Sequence, residues 1–154
     1  MIIRAITYDD AQQCIDLGQI IHDISSYKDR EYHHEKVRKL INICSAHMVG
    51  DTDEFCGFVA EDKGKIVGIM LGYSDEYYFG TDKLCYENAF MVHPDYWGST
   101  AAMRLVKALD RWAEEHNMRE CLIGVTSGIN SARISEFYTK MGFPLVGYFH
   151  KKGY

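Results

Sequence analysis

The fold of this 154-residue chain is decided by the stretch MVHPDYWGSTAA, residues 91–102. Its apolar start, up to Pro94, predicts the end of a strand, and its small residues from Gly98 onward predict a tight turn into a helix. Small side chains leave the first backbone N–H groups of that helix unobstructed. These N–H groups and the positive end of the helix dipole form a site for an anion, and a diphosphate is the natural ligand.

The residues that follow the turn alternate between helix and strand patterns. Apolar residues at helical spacing predict a helix within residues 98–117, and the short apolar run Cys121–Val125 suits a buried strand. A second apolar stripe over residues 134–141 predicts a final helix, which Gly142 stops. The last segment, Phe143–Phe149, predicts one more strand or a pair of short ones.

The residues before the turn predict two helices and an antiparallel meander. Thr7 and Asp10 resemble a capping box ahead of the first helix, with Asp in place of the usual Glu. The predicted elements are a strand at residues 2–7, helices around 11–21 and 37–44, strands at 55–60, 66–73 and 84–93, and a hairpin turn at 62–65. The order β-α-α-β-β-β-α-β-α-β predicts an α/β fold with a central mixed, mostly antiparallel sheet flanked by helices.

Composition narrows the class of protein. The chain has 47% hydrophobic and 25% charged residues, which is enough to bury a core, and its length suits a single domain over residues 1–154. A formal net charge of -5 and the lack of a basic run argue against a nucleic-acid partner. Three acids next to three cations in the helix at 98–117 also disfavour a DNA-binding helix. These residues are Arg104, Lys107 and Arg111 against Asp110, Glu114 and Glu115.

The cysteines indicate the compartment. Their number, five, is odd and no two are close in sequence, so neither a disulfide framework nor a zinc site is predicted. Each lies in an apolar stretch, as buried thiols do in a reducing compartment. The chain also lacks an apolar signal segment and a run long enough to span a membrane. The sequence therefore predicts a cytoplasmic protein with no membrane partner and no metal.

Two segments carry a resemblance to a known family. Residues 92–98, VHPDYWG, and residues 136–143, EFYTKMGF, resemble the strand-to-helix junction and the late-helix segment of the GNAT superfamily of acyl-CoA-dependent N-acetyltransferases. The element order also matches from residue 2 to about residue 152. The resemblance implies an enzyme that moves an acetyl group from acetyl-CoA to a primary amine of a small molecule or protein, by direct transfer.

The resemblance places coenzyme A along the turn and the strand before it. Where the family has Arg/Gln-x-x-Gly-x-Gly/Ala, this chain has Trp97, Thr100 and Ala102, so only Ala102 follows the pattern. Trp97 either packs on the cofactor or caps the fold, and the hydroxyls of Ser99 and Thr100 are expected to assist the backbone donors. The cofactor-binding residues implied are Phe90, Met91, Val92, Trp97, Gly98, Ser99, Thr100, Ala101, Ala102, Asn130 and Ser131. Ser131 is included because Asn130 lies one residue farther from the late-helix segment than the family's asparagine.

Acyl transfer needs a neutral amine, a proton for the departing thiolate and a donor for the oxyanion. The resemblance assigns the acid to Tyr138, the carbonyl-polarising backbone to residues 90–92 and the base to Glu87. A carboxylate on a covered central strand should have a raised pKa, which suits a base near neutral pH. By pattern alone, Tyr138 is a core tyrosine on an apolar helical face. Glu87 is equally well a solvated residue that pairs with a lysine.

Other functions remain open at this level. A non-catalytic acyl-CoA-binding or protein-interaction module on the same fold is the alternative, and the altered turn at Trp97 and Thr100 favours it. The sequence does not name the amine acceptor. In the family fold, the choice of amine acceptor would depend on the loop His22–Glu35, the stretch Tyr73–Gly80 and the C-terminal strands. Edge strands near the C-terminus leave a homodimer open.

Overall fold

The computed structural model describes residues 1–154 as one mixed sheet with helices on both faces. The strands are β1 (Ile2–Ala5), β2 (Phe55–Asp62), β3 (Lys65–Glu76), β4 (Lys83–Val92) and β5 (Cys121–Leu122), and the helices are α1 (Ala11–Ile24), α2 (His34–Gly50), α3 (Ala101–Glu115) and α4 (Ser131–Lys140). The strand order is β1-β2-β3-β4-β5, antiparallel except for the parallel pair β4–β5. The predicted mixed α/β fold is confirmed. None of the four helices combines the length and the apolar character that a bilayer-spanning helix requires.

Two apolar clusters cover the two faces of the sheet. On one face, α1 and α2 bury Ile15 and Ile41 against Ile69 of β3. On the other face, α3 buries Leu105 and Leu109. This helix comes very close to β3, because a Cβ atom at Gly72 would lie 2.6 Å from Leu109 Cδ1. The position of α3, and of the turn that leads into it, therefore depends on a residue without a side chain.

The predicted turns at the start of the chain and between β2 and β3 are present. Lys63 and Gly64 both have positive φ, 51° and 77°, which is the two-residue hairpin geometry that suits the twist of the strands. The Thr7 N–H donates to Asp10 Oδ2 at 2.8 Å, as a capping box requires. Arg4 holds the same Asp10 carboxylate with two hydrogen bonds of 2.7 and 2.8 Å, which tie β1 to the start of α1.

β4 separates from β5 halfway along its length. Gly72 of β3 pairs with Glu87, and its neighbour Leu71 pairs with Ala89, so Asn88 is the extra residue of a β-bulge in β4. β5 pairs with β4 only at Cys85 and Tyr86. The remainder of β4, Glu87–Val92, has no strand on that side. We call this opening the β4–β5 split.

The predicted strands after α3 are wrong in extent. β5 contains only the first two residues of the predicted Cys121–Val125, and Phe143–Phe149 forms no strand. No backbone hydrogen bond involves residues 144–154, and side chains such as Phe149 are largely exposed. The β-prone pattern at the C-terminus fails because strand propensity depends on a partner. The short β5 ends at Leu122 and offers too little edge to pair with.

The predicted loop His22–Glu35 is also shorter than expected. α1 continues to Ile24, and α2 begins at His34. The polar end of α1 stays helical because Gln19 Nε2 donates to Asp23 Oδ1 at 2.7 Å, an i, i+4 contact along the helix surface. His33 caps α2 by accepting the Lys36 N–H, so it serves as a helix cap.

Candidate active site

The β4–β5 split exposes two backbone donors. His93 N–H donates to Val67 O of β3 at 2.9 Å. Because backbone groups alternate in direction along a strand, those of Phe90 and Val92 point away from β3 and into the split. The Val92 carbonyl accepts the Trp97 Nε1–H at 2.8 Å. The N–H groups of Phe90 and Val92 have no acceptor within the protein. They can therefore donate to an oxygen that gains negative charge in the split.

Met91 lies between these two donors but faces the opposite way. Its backbone groups belong to the ladder with Ile69 of β3, and its side chain packs against the α1–α2 cluster. Of the three residues predicted at this end of β4, the structure therefore turns Phe90 and Val92 towards the split and Met91 away from it.

The turn before α3 carries a set of free backbone donors. Gly98 adopts a φ of +87°, a left-handed conformation that glycine tolerates best. The N–H groups of Gly98, Thr100, Ala102 and Met103 have no acceptor in the protein. Together with the start of the α3 dipole, these free N–H groups can donate to an anionic group such as a diphosphate. Met103 is an addition, since sequence reasoning ended the turn at Ala102.

Three other residues of this turn serve the fold itself. Ser99 Oγ accepts the Ala101 N–H at 3.2 Å, so this hydroxyl points at the helix. The Ala101 side chain is fully buried in the α3 cluster. Trp97 uses its indole N–H on the Val92 carbonyl and leaves about half of its surface exposed, 48%. This bond agrees with the interpretation that Trp97 caps the end of β4.

Glu87 lies at the point where β5 leaves β4. Its side chain is half-buried, and burial raises the pKa of its carboxyl to about 6, although the Gly124 N–H, which donates to Oε2 at 3.3 Å, opposes the rise. No cation lies within ion-pair distance of this carboxylate. The solvated, lysine-paired interpretation of Glu87 therefore disagrees with the structure. A carboxylate with this pKa can accept a proton near neutral pH.

Tyr138 approaches the split from α4. Its side chain is only 6% exposed, and its ring centroid lies 6.3 Å from that of Phe90. Burial raises the pKa of the Tyr138 hydroxyl above its usual value, and the charge of Glu87 raises it further. The hydroxyl stays protonated and makes no hydrogen bond within the protein, so its proton is available to a ligand. The fold thus brings a buried phenol, a carboxyl with a raised pKa and two free N–H donors to one opening.

Comparison with known proteins gives the family. A family model described as the acetyltransferase (GNAT) family matches residues 17–143. The chain belongs to the GNAT acetyltransferase family. Its activity class is that of the family, the acyl-CoA-dependent transfer of an acetyl group to an amine. No curated protein matches this GNAT chain in sequence.

Solved structures share the fold of this acetyltransferase at low sequence identity. The glucosamine-6-phosphate N-acetyltransferase of Arabidopsis thaliana superimposes with a TM-score of 0.73 at 15% identity, covering 99% of this chain and 97% of that one. The ribosomal-protein-alanine N-acetyltransferase of Brucella melitensis biovar Abortus 2308 gives 0.71 at 15% identity, covering 100% and 99%. AAC(6')-Iy, solved with the bisubstrate analogue CoA-S-monomethyl-acetylneamine, gives 0.69 at 14% identity, covering 99% and 98%.

Two predicted residues of this GNAT chain lie apart from the split. Asn130 precedes α4 in a left-handed conformation, with φ of 45° and no hydrogen bond from its side chain, and Ser131 begins the helix. Both are exposed. Eight residues of helix separate Asn130 from Tyr138, about 12 Å along the axis. The structure therefore places them at the opposite end of α4 from Tyr138.

The region around the α1–α2 loop contains further polar groups that sequence reasoning did not single out. The Ser26 N–H donates to Ser127 O at 2.8 Å, which ties the α1–α2 loop to the segment before α4. His22, near the end of α1, is half-buried, and neither of its two buried ring nitrogens makes a hydrogen bond, although Nδ1 lies 3.6 Å from Asp23 Oδ1. Its ring lies 5.3 Å from that of Tyr32. No group of three or more His, Cys, Asp or Glu side chains in the chain is arranged to hold a metal ion.

Proposed function

We propose that this acetyltransferase binds acetyl-CoA with the diphosphate on the free N–H groups of the turn at residues 98–103. The acetyl group then lies in the β4–β5 split, where it is transferred directly to a primary amine. The observation that carries this proposal is the split itself, where the free N–H groups of Phe90 and Val92 lie beside Glu87 and Tyr138. The family uses acetyl-CoA, and the turn fits the anionic part of that molecule.

Each group has one task in the transfer. Glu87 accepts the proton that the amine loses when it becomes the nucleophile, either directly or through a water molecule. As the amine nitrogen bonds to the carbonyl carbon, Phe90 and Val92 donate their N–H groups to the carbonyl oxygen. When the carbon–sulfur bond breaks, Tyr138 gives its hydroxyl proton to the thiolate. The nitrogen of the new amide still carries one proton too many after the attack, and it gives that proton, directly or through a water molecule, to the tyrosinate, which burial disfavours.

Four of the five cysteines support direct transfer over an acyl-cysteine route. Burial raises the pKa of Cys14 to about 12 and that of Cys44 to about 11. Burial also raises the pKa of Cys56, and a hydrogen bond with Cys121 together with burial raises that of Cys85. A thiol attacks as its thiolate, so these four side chains are poor nucleophiles near neutral pH.

A coenzyme A release assay tests the proposal, after calorimetry has measured acetyl-CoA binding. The amine panel should include an aminoglycoside, a glucosamine phosphate and a peptide with N-terminal alanine, because solved relatives are named for these acceptors. We expect saturable coenzyme A release with at least one amine. Binding without transfer to any amine would favour the non-catalytic module, and no binding at about 1 mM acetyl-CoA would reject the cofactor assignment.

We further propose that the protein is cytoplasmic and forms a homodimer through its C-terminal segment. Four buried, unbridged cysteines suit a reducing compartment. The segment 143–149 has a β-prone sequence but no strand partner in its own chain, and Val146 and Phe149 are 82% and 90% exposed. Light scattering should give twice the 17.7-kDa chain mass, and deletion of residues 145–154 should give the monomer. A monomeric full-length chain would reject the dimer.

A further inference from the structure

A second groove lies at the opposite edge of the sheet from the split. It is bounded by β1, the C-terminal end of α2 and one flank of α3, and it has a volume of about 560 Å³. Small-molecule sites commonly have volumes of this order. β1 and β4 lie at positions one and four of the sheet, so three strand spacings of about 4.8 Å separate this α3–β1 groove from the split.

Three unpaired cations line one wall of the α3–β1 groove. Arg104, Lys107 and Arg111 follow the spacing i, i+3, i+7, which puts them on one face of α3 over about 10 Å. Arg104 donates one N–H to the Met1 carbonyl at 2.8 Å, which fixes its guanidinium and leaves its other donors free. Lys107 and Arg111 are exposed and make no ion pair or hydrogen bond.

The other charged residues of the groove are either already in ion pairs or lie at one end of it. Arg4 forms ion pairs with both Asp10 and Glu61, at 2.7 and 2.8 Å, so this cluster carries a net charge of -1 and adds no free cation to the groove. The two acids of the lining, Asp51 and Glu115, lie where α2 and α3 end, so they flank only one end of the groove. Asp51 is 95% exposed and lies 3.9 Å from His116. The end towards Arg104 therefore contains no acid of the lining.

The floor of the groove is apolar. Ile3 of β1, Phe58 of β2 and Met48 of α2 face Trp112 of α3 across it. Trp112 is held in place by its ring contact with His116, at 4.8 Å between centroids. An apolar floor below a row of cations suits a ligand that has both a carbon skeleton and anionic groups.

We propose that the α3–β1 groove binds a small molecule with two or more phosphate or carboxylate groups. Guanidinium groups pair with such oxyanions in a planar, two-point geometry, and two arginines with a lysine between them offer several contact points along α3. The site is separate from the turn at residues 98–103. Arg104, Lys107 and Arg111 lie on the flank of α3 that faces β1, whereas α4 and the split lie beyond the opposite flank. The proposal therefore gives a binding role to three cations that have no part in the proposed acetyl transfer.

An NMR titration of the full chain tests this proposal with three probes, ADP, inorganic pyrophosphate and citrate, in the presence of saturating coenzyme A. At least one probe should shift amide signals of residues 3–5, 47–52 and 104–116. The double variant Lys107→Gln, Arg111→Gln should weaken its binding at least tenfold. The charge-matched control Lys39→Gln, Lys140→Gln removes two exposed cations elsewhere and should leave binding unchanged. Which probe binds distinguishes a phosphate ligand from a carboxylate ligand.

Three outcomes would overturn the proposal. The first is no binding of any probe up to about 10 mM. The second is a set of shifts confined to the turn at residues 98–103. The third is an equal loss of binding in the double variant and its charge-matched control, which would indicate attraction by net charge alone. Circular dichroism melts of both double variants establish that each is folded, since all four substituted side chains are exposed.

Discussion

At the scale of single residues, Glu87 and Tyr138 depend on the same loss of solvent. Burial disfavours the charged form of both groups, and the charge of Glu87 adds to the effect on Tyr138. The carboxyl keeps a pKa of about 6 and can serve as a base near neutral pH, whereas the phenol stays protonated and can serve as an acid. The same burial therefore suits Glu87 to the proposed role of base and Tyr138 to the proposed role of acid.

The substitution Glu87→Gln should lower turnover about 100-fold, because general-base catalysis contributes on this order. In the parent enzyme the rate should rise with pH through about 6, since only the deprotonated carboxyl accepts a proton. The variant should lack this low-pH limb. Glu136→Gln, on the exposed face of α4, is the matched control and should keep the parent profile. A variant at position 87 that retains the limb would remove Glu87 from the base role.

The substitution Tyr138→Phe should lower turnover at least tenfold and leave acetyl-CoA affinity within about twofold, since the proton is needed only when the thiolate departs. The packing against Phe90 should survive, because the change removes only the hydroxyl. Calorimetry measures the affinity and the coenzyme A release assay measures turnover. Tyr148→Phe, in the exposed C-terminal segment, should change neither quantity. Equal turnover in the parent and the position-138 variant would contradict the acid role.

At the scale of elements, α3 packs so closely against β3 that the strand has no space for a side chain at Gly72. An added Cβ at Gly72 would meet Leu109 Cδ1 at 2.6 Å, Cys56 Sγ at 2.9 Å and the Tyr86 carbonyl at 3.3 Å. Leu109 is fully buried and has little freedom to move away. The turn that presents the N–H donors leads directly into α3, so its place relative to β4 depends on this contact.

The substitution Gly72→Ala should lower the free energy of unfolding by about 1–3 kcal/mol, the usual cost of overpacking a core. Urea denaturation measures this change. Gly80→Ala is the matched control, because a Cβ there has no neighbour within 4 Å, and its effect should stay within about 0.5 kcal/mol. A Gly72 variant as stable as this control would mean that α3 is less tightly held than the structure indicates.

At the scale of the whole molecule, the cysteines report how the core is distributed. Cys14 and Cys44 lie in the α1–α2 cluster, and Cys56 and Cys85 lie in the α3 cluster. All four are buried, and Cys121 alone is half-buried. The prediction that these thiols are core residues therefore holds for four of the five, and the fifth lies where β5 closes the sheet.

A thiol titration with a disulfide reagent at pH 8 should show at most one fast-reacting cysteine per native chain. Reaction needs both access and a thiolate, and burial denies both to the other four. The substitution Cys121→Ser should remove the fast phase, and urea should expose the remaining thiols together. Cys44→Ser is the comparison variant and should leave the fast phase in place. Two or more fast thiols in the native chain would contradict the observed burial.

Much of the fold and part of the site could be predicted from local patterns. The helix at α3, the Lys63–Gly64 hairpin and the free N–H groups after Gly98 all follow from residues that are close in sequence. The absence of a C-terminal strand could not be predicted, because Phe143–Phe149 has the composition of a strand and only the fold shows that it lacks an edge to pair with. The bulge at Asn88 could not be predicted either, since the register of β3 against β4 creates it.

Patterns along the chain were enough to predict the order of the elements as far as α4, the turn at residues 98–102 and the resemblance that points to Glu87 and Tyr138. Hydrophobic periodicity, glycines and small side chains determine local structure over a few residues, so these features can be recognised in the sequence without knowledge of the fold. The folded chain was needed to show that β5 separates from β4 after two residues and that Phe90 and Val92, rather than Met91, face the opening. It was also needed to show that Arg104, Lys107 and Arg111 line an apolar groove at the far edge of the sheet. Strand register and helix packing bring residues that are distant in sequence together. They also bury Glu87, and its raised pKa depends on that burial.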